Sequence, residues 1–408
     1  MRIGLDGIPL TKPKTGVGHY TFELARALAL AAPSDDFQLV SPLPYTLPLS
    51  SLREQGAPAN LQAIHAEVSG VSKHWWTVGL PSYLRQNPLA LFHGSNYDVP
   101  LLGGCPTVLT IHDLASYLYP ETLQTRSVRR ARYRLPIMAR RATMIVTPTR
   151  AVRLEVCERL NVKPEKVIAV HHAPRPCFRP LPANQTIETT TRLGIDDDFL
   201  LFVGTIEPRK NLLTLIRAFE NVLKNTSLRP QLVIAGQEGW LTNELFDYVK
   251  TRDFGDRLRW TGYVSDEDLC ALYSSCRAFI YPSIYEGFGL PPLEAMACGA
   301  PVISSRIPSI TEVLGAAAHL VSPADVDALS QSIIELWENS DQRQRLSKAG
   351  QALAAEFSWE RTARLTREVY RAALGSKSRL LHVSRAAEQL RVCLRKASLR
   401  VFDEQIPK

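Results

Sequence analysis

The sequence predicts an α/β protein with two doubly wound, Rossmann-like domains that face each other across a cleft. Short apolar, β-branched runs alternate with helical segments along most of the chain, which is typical of stacked βαβ units and parallel sheets. The 408 residues exceed the usual size of one compact core. A polar, proline-rich stretch at 173–198 divides the alternation into two series, and we interpret it as a linker.

These two series define the predicted domains. We assign residues 1–180 to a first domain, 199–357 to a second, 358–375 to a helix and 376–408 to a basic tail. Strands of the first domain are predicted at 3–5, 37–40, 89–92, 107–111, 144–147 and 166–170, and helices at 20–31 and 127–140. Strands of the second are predicted at 199–204, 231–235, 258–261, 278–281, 302–304 and 319–321, and helices at 212–223 and 266–274. The final helix follows the N-cap candidate Ser358.

Composition favours a cytoplasmic protein. No apolar run approaches the roughly 18 residues of a membrane span, and the N-terminus lacks the apolar region of a signal peptide. Seven scattered cysteines, without a C-x-x-C pair, indicate free thiols rather than zinc ligands or a disulfide framework.

The net charge of +8 is concentrated in two basic segments, one between Arg126 and Arg153 and one after Lys377. Solvated helix faces are the simplest interpretation of both segments. The alternative is peripheral contact with an anionic membrane surface, at the inner face of the plasma membrane, or with a lipid-phosphate acceptor. Nucleic acid is not an expected partner, because no RNP, KH or zinc-finger pattern occurs.

The loop YEGFGLPPLE at 285–294 carries the most informative motif. It follows the predicted strand 278–281 and opens a helix, with prolines suited to the first turn and Gly299 suited to the end. Gly287 and Gly289 allow backbone N–H groups to approach a ligand closely, and a helix N-terminus favours an anion. The loop therefore predicts an anion-binding site.

Two carboxylates of this loop, Glu286 and Glu294, are able to face one pocket. Beside a diphosphate they would accept hydrogen bonds from sugar and ribose hydroxyls rather than contact phosphate. The alternatives are an exposed loop charge for Glu286 and a helix-dipole carboxylate for Glu294.

The second candidate cluster is EPRKN at 207–211, immediately after the first strand of the second domain. Arg209 offers a planar fork for phosphate oxygens, and Lys210 offers a compact point charge. Placed at a helix start, both cations oppose the helix dipole, which favours a functional role over a solvated one. Together they would offset charge on a leaving diphosphate without a metal.

The first domain contributes two further candidates. TGVGHYT at 15–21 is a glycine-rich loop before a helix, and Gly16 and Gly18 suit a diphosphate-facing backbone. His112 and Asp113 directly follow the strand 107–111, at the sheet edge where a catalytic group belongs. The alternative for His112 is a packed or surface histidine. His93, which ends another strand, is interpreted as a packed residue.

Together these motifs resemble the family-4 glycosyltransferases, retaining enzymes of the GT-B fold, from Met1 to about Leu374. The most specific match is Glu, seven residues, Glu, here Glu286 to Glu294 within EGFGLPPLEAMACGAPVI. EPRKN, TGVGHYT and IHDL at 111–114 also match. The resemblance implies that the helix at 358–375 crosses back to the first domain.

The resemblance also implies roles for the candidate residues. Glu286 would contact donor-sugar hydroxyls, Glu294 the ribose, and Arg209 with Lys210 the diphosphate. Some relatives carry an arginine where this chain has Thr205, so the diphosphate role is assigned more firmly to Lys210 than to Arg209. The implied catalytic residues are His112, Asp113 and Glu286. The implied donor-binding residues are Gly16, Gly18, Arg209, Lys210, Gly287, Phe288, Gly289 and Glu294.

The resemblance implies transfer of mannose or a related deoxyhexose from a GDP-sugar to a growing polysaccharide or lipid-linked glycan, with no cofactor. A UDP-sugar-dependent transferase, a nucleotide-sugar epimerase of the same fold and a non-catalytic nucleotide-sugar-binding scaffold are the alternatives. Asp-x-Asp metal motifs occur at 196–198 and 325–327, in the linker and at a predicted helix start. Neither position is a strand end, so we predict no metal.

Overall fold

The computed structural model describes residues 1–12, 16–45, 56–67 and 74–375. The basic tail 376–408 and Thr15 of the TGVGHYT motif lie outside these residues. Within them, the chain forms two parallel β-sheets with helices between most successive strands. The predicted α/β class with two Rossmann-like domains is confirmed.

The first sheet has the strand order β3-β2-β1-β4-β5-β6-β7, and all its pairings are parallel. The strands are β1 (Arg2–Asp6), β2 (Asp36–Ser41), β3 (Leu61–His65), β4 (Leu91–Gly94), β5 (Thr107–Thr110), β6 (Met144–Thr147) and β7 (Val167–Ala169). Its helices are α1 (Gly16–Ala31), α2 (Leu80–Gln86), α3 (Ala115–Leu118), α4 (Thr125–Arg141) and α5 (Arg150–Arg159). The strand order reverses direction between β1 and β4, so a ligand crevice is expected at their carboxyl ends.

The second sheet has the order β10-β9-β8-β11-β12-β13, again with parallel pairings. The strands are β8 (Phe199–Val203), β9 (Gln231–Ala235), β10 (Leu258–Gly262), β11 (Ala278–Tyr281), β12 (Val302–Ser305) and β13 (His319–Val321). The helices are α6 (Ala183–Leu193), α7 (Leu212–Asn225), α8 (Asn243–Lys250), α9 (Asp266–Ser275), α10 (Leu290–Ala297), α11 (Pro308–Leu314), α12 (Val326–Glu338) and α13 (Ser340–Ala354). Here the strand order reverses between β8 and β11.

Two elements, β3 and α6, were missed by the sequence prediction, whereas β4 and the start of α1 are displaced by two and four residues. Strand β3 was not predicted; it lies at the sheet edge with only alternate residues buried, so it lacks the continuous apolar run of the inner strands. Part of the predicted linker is helix α6, which ends at Gly194 in the left-handed conformation. Its threonine-rich sequence has modest helix propensity, and its side chains bond to α9 through Asp268. Contact with α9, rather than intrinsic helix propensity, therefore stabilises α6.

The last helix, α14 (Trp359–Ala373), packs against α1, β5 and β6 of the first domain. Ser358 caps it, as predicted, by accepting a hydrogen bond from the backbone N–H of Arg361. The Trp359 indole N–H donates to the carbonyl of Pro174, 3.2 Å away. The ring nitrogens of His93 lie 2.7 Å from the Tyr370 hydroxyl and 2.8 Å from the Thr110 hydroxyl, which supports the packed interpretation of His93.

Helix α4 carries an exposed basic face. Tyr133, with 75% of its surface exposed, and Ile137 lie on this helix among the arginines. The exposed arginines of α4 are Arg126, Arg129, Arg130, Arg132, Arg140 and Arg141. Across the described part of the chain, no helix combines the length and apolarity needed to cross a bilayer.

Candidate active site

Two loops leave the switch point of the second sheet. The loop 204–211 follows β8 and the loop 282–289 follows β11, the strands between which the order reverses. Asn211 joins the two loops, because its side-chain amide donates to the carbonyl of Pro282 at 3.0 Å. Asn211 itself adopts a left-handed conformation with φ of 60°, which asparagine tolerates better than most residues. The EPRKN and Glu286 motifs are therefore adjacent.

The two loops build an ionic cluster of Glu207, Arg209, Lys210, Tyr281 and Glu286. Lys210 Nζ lies 2.6 Å from Glu286 Oε1 and 2.6 Å from the Tyr281 hydroxyl. Arg209 reaches Glu286 Oε2 at 3.0 Å and Glu207 Oε1 at 2.5 Å. Each charge is thus paired, as burial requires.

The electrostatics of the cluster favour full ionisation of Glu286. Burial by itself would raise the pKa of Glu286, but the charges of Arg209 and Lys210 outweigh burial and hold it at about 2. Burial disfavours the charge of Arg209, whereas Glu286, Glu207 and Asp113 raise the pKa of this guanidinium. Burial lowers the pKa of Lys210, and Glu286 opposes that shift. The cluster therefore holds paired charges, and an anion that binds Arg209 and Lys210 must displace Glu286 from them.

Gly287 brings the Glu286 loop against the first domain. A Cβ atom at this position would lie 1.8 Å from the carbonyl oxygen of His112 and 3.3 Å from Asp113 Cβ. The Thr149 hydroxyl donates to the carbonyl of Gly287 at 3.0 Å. Only glycine fits this contact, and it places His112 and Asp113 beside the Glu286 loop.

His112 is fixed by its surroundings in the first domain. Its Nε2 lies 2.8 Å from the carbonyl of Ser95, and its ring packs edge-on to Tyr20 and Tyr97. Burial lowers the pKa of His112. A neutral ring that donates Nε2–H to Ser95 follows, with Nδ1 left as an acceptor. The Asp113 carboxylate accepts from the backbone N–H of Ala115 at 3.0 Å.

Glu294 forms a second cluster, with a residue that the sequence analysis missed. Arg175 Nε donates to Glu294 Oε1 at 2.8 Å, and Arg175 NH1 donates to Asp266 Oδ1 at 2.7 Å. Burial raises the pKa of Glu294, and the charge of Arg175 opposes the rise. Arg175 lies in the predicted linker between two prolines, where no periodicity or motif marks it as a site residue.

The remaining candidates surround these clusters. Gly16 and Gly18 lie in the first turn of α1 and not in a loop before the helix, so that part of the prediction is wrong. The ring of the neighbouring His19 is 3.2 Å from Arg175 NH1. The ring of Phe288 is buried, with its centroid 5.0 Å from that of His172. Gly289 has φ of +93° and begins α10, a backbone conformation that requires glycine.

The Asp-x-Asp candidates have other partners. Asp196 pairs with Arg257, Asp198 pairs with Arg277, and Asp325 caps α12 by accepting from the backbone N–H of Ala328. Within the described residues, no group of three or more His, Cys, Asp or Glu side chains is arranged to hold a metal ion.

Comparison with known proteins assigns the two halves to glycosyltransferase families. Residues 14–173 match the family described as Glycosyltransferase Family 4, and residues 185–353 match Glycosyl transferases group 1. The chain is 30% identical to O-antigen chain mannosyltransferase B of Escherichia coli, over 91% of this chain and 100% of that protein. It is 27% identical to O-antigen chain mannosyltransferase RfbU of Salmonella typhimurium, over 60% of this chain and 65% of that protein.

Solved structures have the same fold at low sequence identity. Anabaena Alr3699/HepE, solved with UDP and glucose, aligns with a TM-score of 0.70 and 17% identity, over 91% of this chain and 99% of that one. WaaG, a glycosyltransferase involved in lipopolysaccharide biosynthesis, aligns with a TM-score of 0.70 and 14% identity, over 92% of this chain and 100% of that one. With the full-length match to the Escherichia coli enzyme, these likenesses show that the chain belongs to the family-4 glycosyltransferases of the GT-B fold and is a hexosyltransferase.

Proposed function

We propose that this enzyme transfers mannose from GDP-mannose to a growing surface polysaccharide or lipid-linked glycan, with retention at the anomeric carbon and without a metal ion or cofactor. The names of its relatives support the sugar and the class of product, since the full-length match is an O-antigen chain mannosyltransferase. The observation that carries the chemistry is the ionic cluster, which places Arg209 and Lys210 in the loop beside the backbone contact between Gly287 and His112.

The donor diphosphate would bind where the two loops meet. Arg209 supplies further guanidinium N–H groups and Lys210 supplies an ammonium. The first turn of α10 adds the backbone N–H groups of Leu290 and Leu293, since Pro291 and Pro292 have none. A diphosphate would compete with Glu286 for the two cations. That exchange releases Glu286 to accept hydrogen bonds from the hydroxyls of the donor sugar.

During transfer, the bond between the anomeric carbon and the diphosphate breaks and negative charge grows on the leaving group. Arg209, Lys210 and the α10 amides stabilise this charge, so no metal ion is needed at that position. The departing phosphate oxygen accepts the proton of the attacking hydroxyl on the same face of the sugar, and no enzyme nucleophile is assigned. His112 would lie beside the donor sugar, where its ring, kept neutral by burial, would orient a hydroxyl.

A donor panel tests the proposed reaction. GDP-mannose is expected to raise the melting temperature more than UDP-glucose does, because a ligand that binds only the folded state stabilises it. Transfer to a mannose-terminated glycan should yield an α-linked product, read by NMR, and EDTA should leave the rate unchanged. A β-linked product, or a rate abolished by EDTA and restored by manganese, would contradict the mechanism. Incubation with donor alone should leave the sugar unepimerised.

The α4 face supports a further part of the proposal, contact with the anionic cytoplasmic face of a membrane. Each arginine near such a surface contributes about 1 kcal/mol of attraction. Tyr133 and Ile137 would enter the headgroup region between the arginines.

Vesicle sedimentation tests this contact. The full-length protein is expected to bind phosphatidylglycerol vesicles and not phosphatidylcholine vesicles. Arg126→Glu combined with Arg130→Glu should reduce binding by about 10-fold or more, given the attraction per arginine. Arg229→Glu combined with Arg345→Glu makes the same charge change in the second domain and is the control. Equal loss in both double variants would contradict a specific role for α4.

A further inference from the structure

Arg175 is a buried cation outside both predicted motifs. It lies in the connection between β7 and α6, and only 8% of its surface is exposed. Its Nε and NH2 atoms lie 2.8 and 3.5 Å from the two carboxylate oxygens of Glu294. The guanidinium therefore faces the Glu294 carboxylate with both ends of its fork.

The same guanidinium contacts elements of both domains. NH1 donates to Asp266 at the start of α9 and lies within 3.3 Å of both ring nitrogens of His19 in α1. The guanidinium carbon also lies 4.5 Å from the centroid of the Phe178 ring. These contacts with Glu294, Asp266, His19 and Phe178 hold the Arg175 guanidinium in one orientation.

We propose that Arg175 is a positioning residue for nucleotide recognition, which orients the Glu294 carboxylate toward the ribose hydroxyls of the donor. This inference rests on the proposed function, in which Glu294 binds the ribose. A carboxylate has about four lone-pair sites, and Arg175 occupies one on each oxygen. The remaining sites suit a vicinal diol, which presents two hydroxyls to two oxygens.

The charge of Arg175 serves the same role. Burial raises the pKa of Glu294, and Arg175 is the first of the groups that oppose this rise. A protonated Glu294 would lose acceptor capacity toward the diol, since its O–H is a donor. Contact with His19 further links the geometry of Glu294 to the position of α1, and therefore to the approach of the two domains.

Nucleotide-binding measurements on the full-length protein test this role without the transfer reaction. Calorimetry would compare GDP and UDP with their 2′,3′-dideoxy counterparts. Arg175→Gln is expected to weaken binding of the tighter ribonucleotide by about 10-fold or more, the usual effect of disturbing a hydrogen bond to a charged group. Its binding of the dideoxy nucleotide should change by less than about 2-fold. Arg175→Lys keeps the charge without the fork and should give a smaller loss, again confined to the ribonucleotide.

Arg192→Gln is the matched control. This exposed arginine pairs with Asp268 of α9, the helix that also carries Asp266, a partner of Arg175. It should bind all nucleotides as the wild type does. In transfer assays, Arg175→Gln should raise KM for the donor with kcat within a few fold of the wild type. If Arg175→Gln does not fold, Arg175→Lys is used instead to compare binding of the ribonucleotide with binding of the dideoxynucleotide.

The outcomes separate this inference from the proposed function. Equal weakening of ribo- and dideoxynucleotides by the Arg175 variants, or no weakening of either, would overturn the positioning role. So would a wild-type protein that binds both kinds of nucleotide equally well. A wild-type protein that binds neither GDP nor UDP would instead overturn the proposed function.

Discussion

Gly287→Ala is expected to lower kcat/KM by about 100-fold or more, because a displacement of about 1 Å at a reacting centre has that effect. The added methyl group would lie 1.8 Å from the His112 carbonyl oxygen, far inside contact distance. That oxygen belongs to the backbone after β5, so the clash cannot be relieved by a change of rotamer. The Glu286 loop and the first domain must move apart, and the two halves of the site separate. Steady-state kinetics with the transferred sugar as readout measure the loss.

Gly104→Ala is the control for Gly287→Ala. Gly104 is exposed, and a Cβ atom there meets nothing within 4 Å. Both variants should retain the far-UV circular dichroism of the wild type, because neither glycine lies in a helix or strand. Wild-type kinetics in Gly287→Ala would show that the observed approach of the loop to His112 is not needed for transfer.

Lys210→Ala is expected to cost at least about 2 kcal/mol of transition-state stabilisation, or about 30-fold in kcat/KM. The substitution removes the ammonium that lies 2.6 Å from Glu286. We propose that this ammonium stabilises the negative charge on the leaving diphosphate. Arg209 still pairs with both Glu286 and Glu207 in this variant, so neither carboxylate is left without a cationic partner. The loss should therefore appear mainly in kcat, where interactions made in the transition state are measured.

Two comparisons make the Lys210 result interpretable. Lys224→Ala removes an exposed lysine that pairs with Glu220 in α7, and it should leave kcat/KM unchanged. Glu286→Ala should cost at least about 2 kcal/mol in the same assay. It should also destabilise the fold by about 3–5 kcal/mol, because it leaves Arg209 and Lys210 buried beside each other without their shared carboxylate. Turnover by Lys210→Ala at the wild-type rate would remove Lys210 from the mechanism.

The sequence predicted the inner strands well because parallel strands covered on both faces are continuous apolar runs. β9 and β11 were predicted to the residue, and β8 to within one residue. Strand β3, at the sheet edge, and helix α6, in a threonine-rich stretch, escaped prediction because neighbours rather than their own sequence determine them.

The site residues that lie next to one another in the sequence could be predicted. The pairs Arg209–Lys210 and His112–Asp113, and the Glu286 loop, each follow a strand that reaches the expected sheet edge. Their adjacency in the structure follows from the strand order. The roles of these residues in donor binding and catalysis stay predictions.

Long-range partners were not predictable in the same way. Arg175 meets Glu294 across 119 positions of sequence, and Tyr285 meets Glu155 across 130. The Tyr281 hydroxyl is buried at the end of β11. In a sequence, an aromatic residue at a strand end is normally interpreted as part of the hydrophobic core. The Arg175–Glu294 and Tyr285–Glu155 contacts depend on how the two domains meet, and no local pattern encodes that.

The return of α14 to the first domain means that the polypeptide passes between the two lobes twice. One passage runs through Pro174, the other enters α14 at Trp359, and the indole of Trp359 bonds the two together. A single connection leaves two rigid bodies free to rotate about it, whereas two connections bonded to each other restrict that rotation.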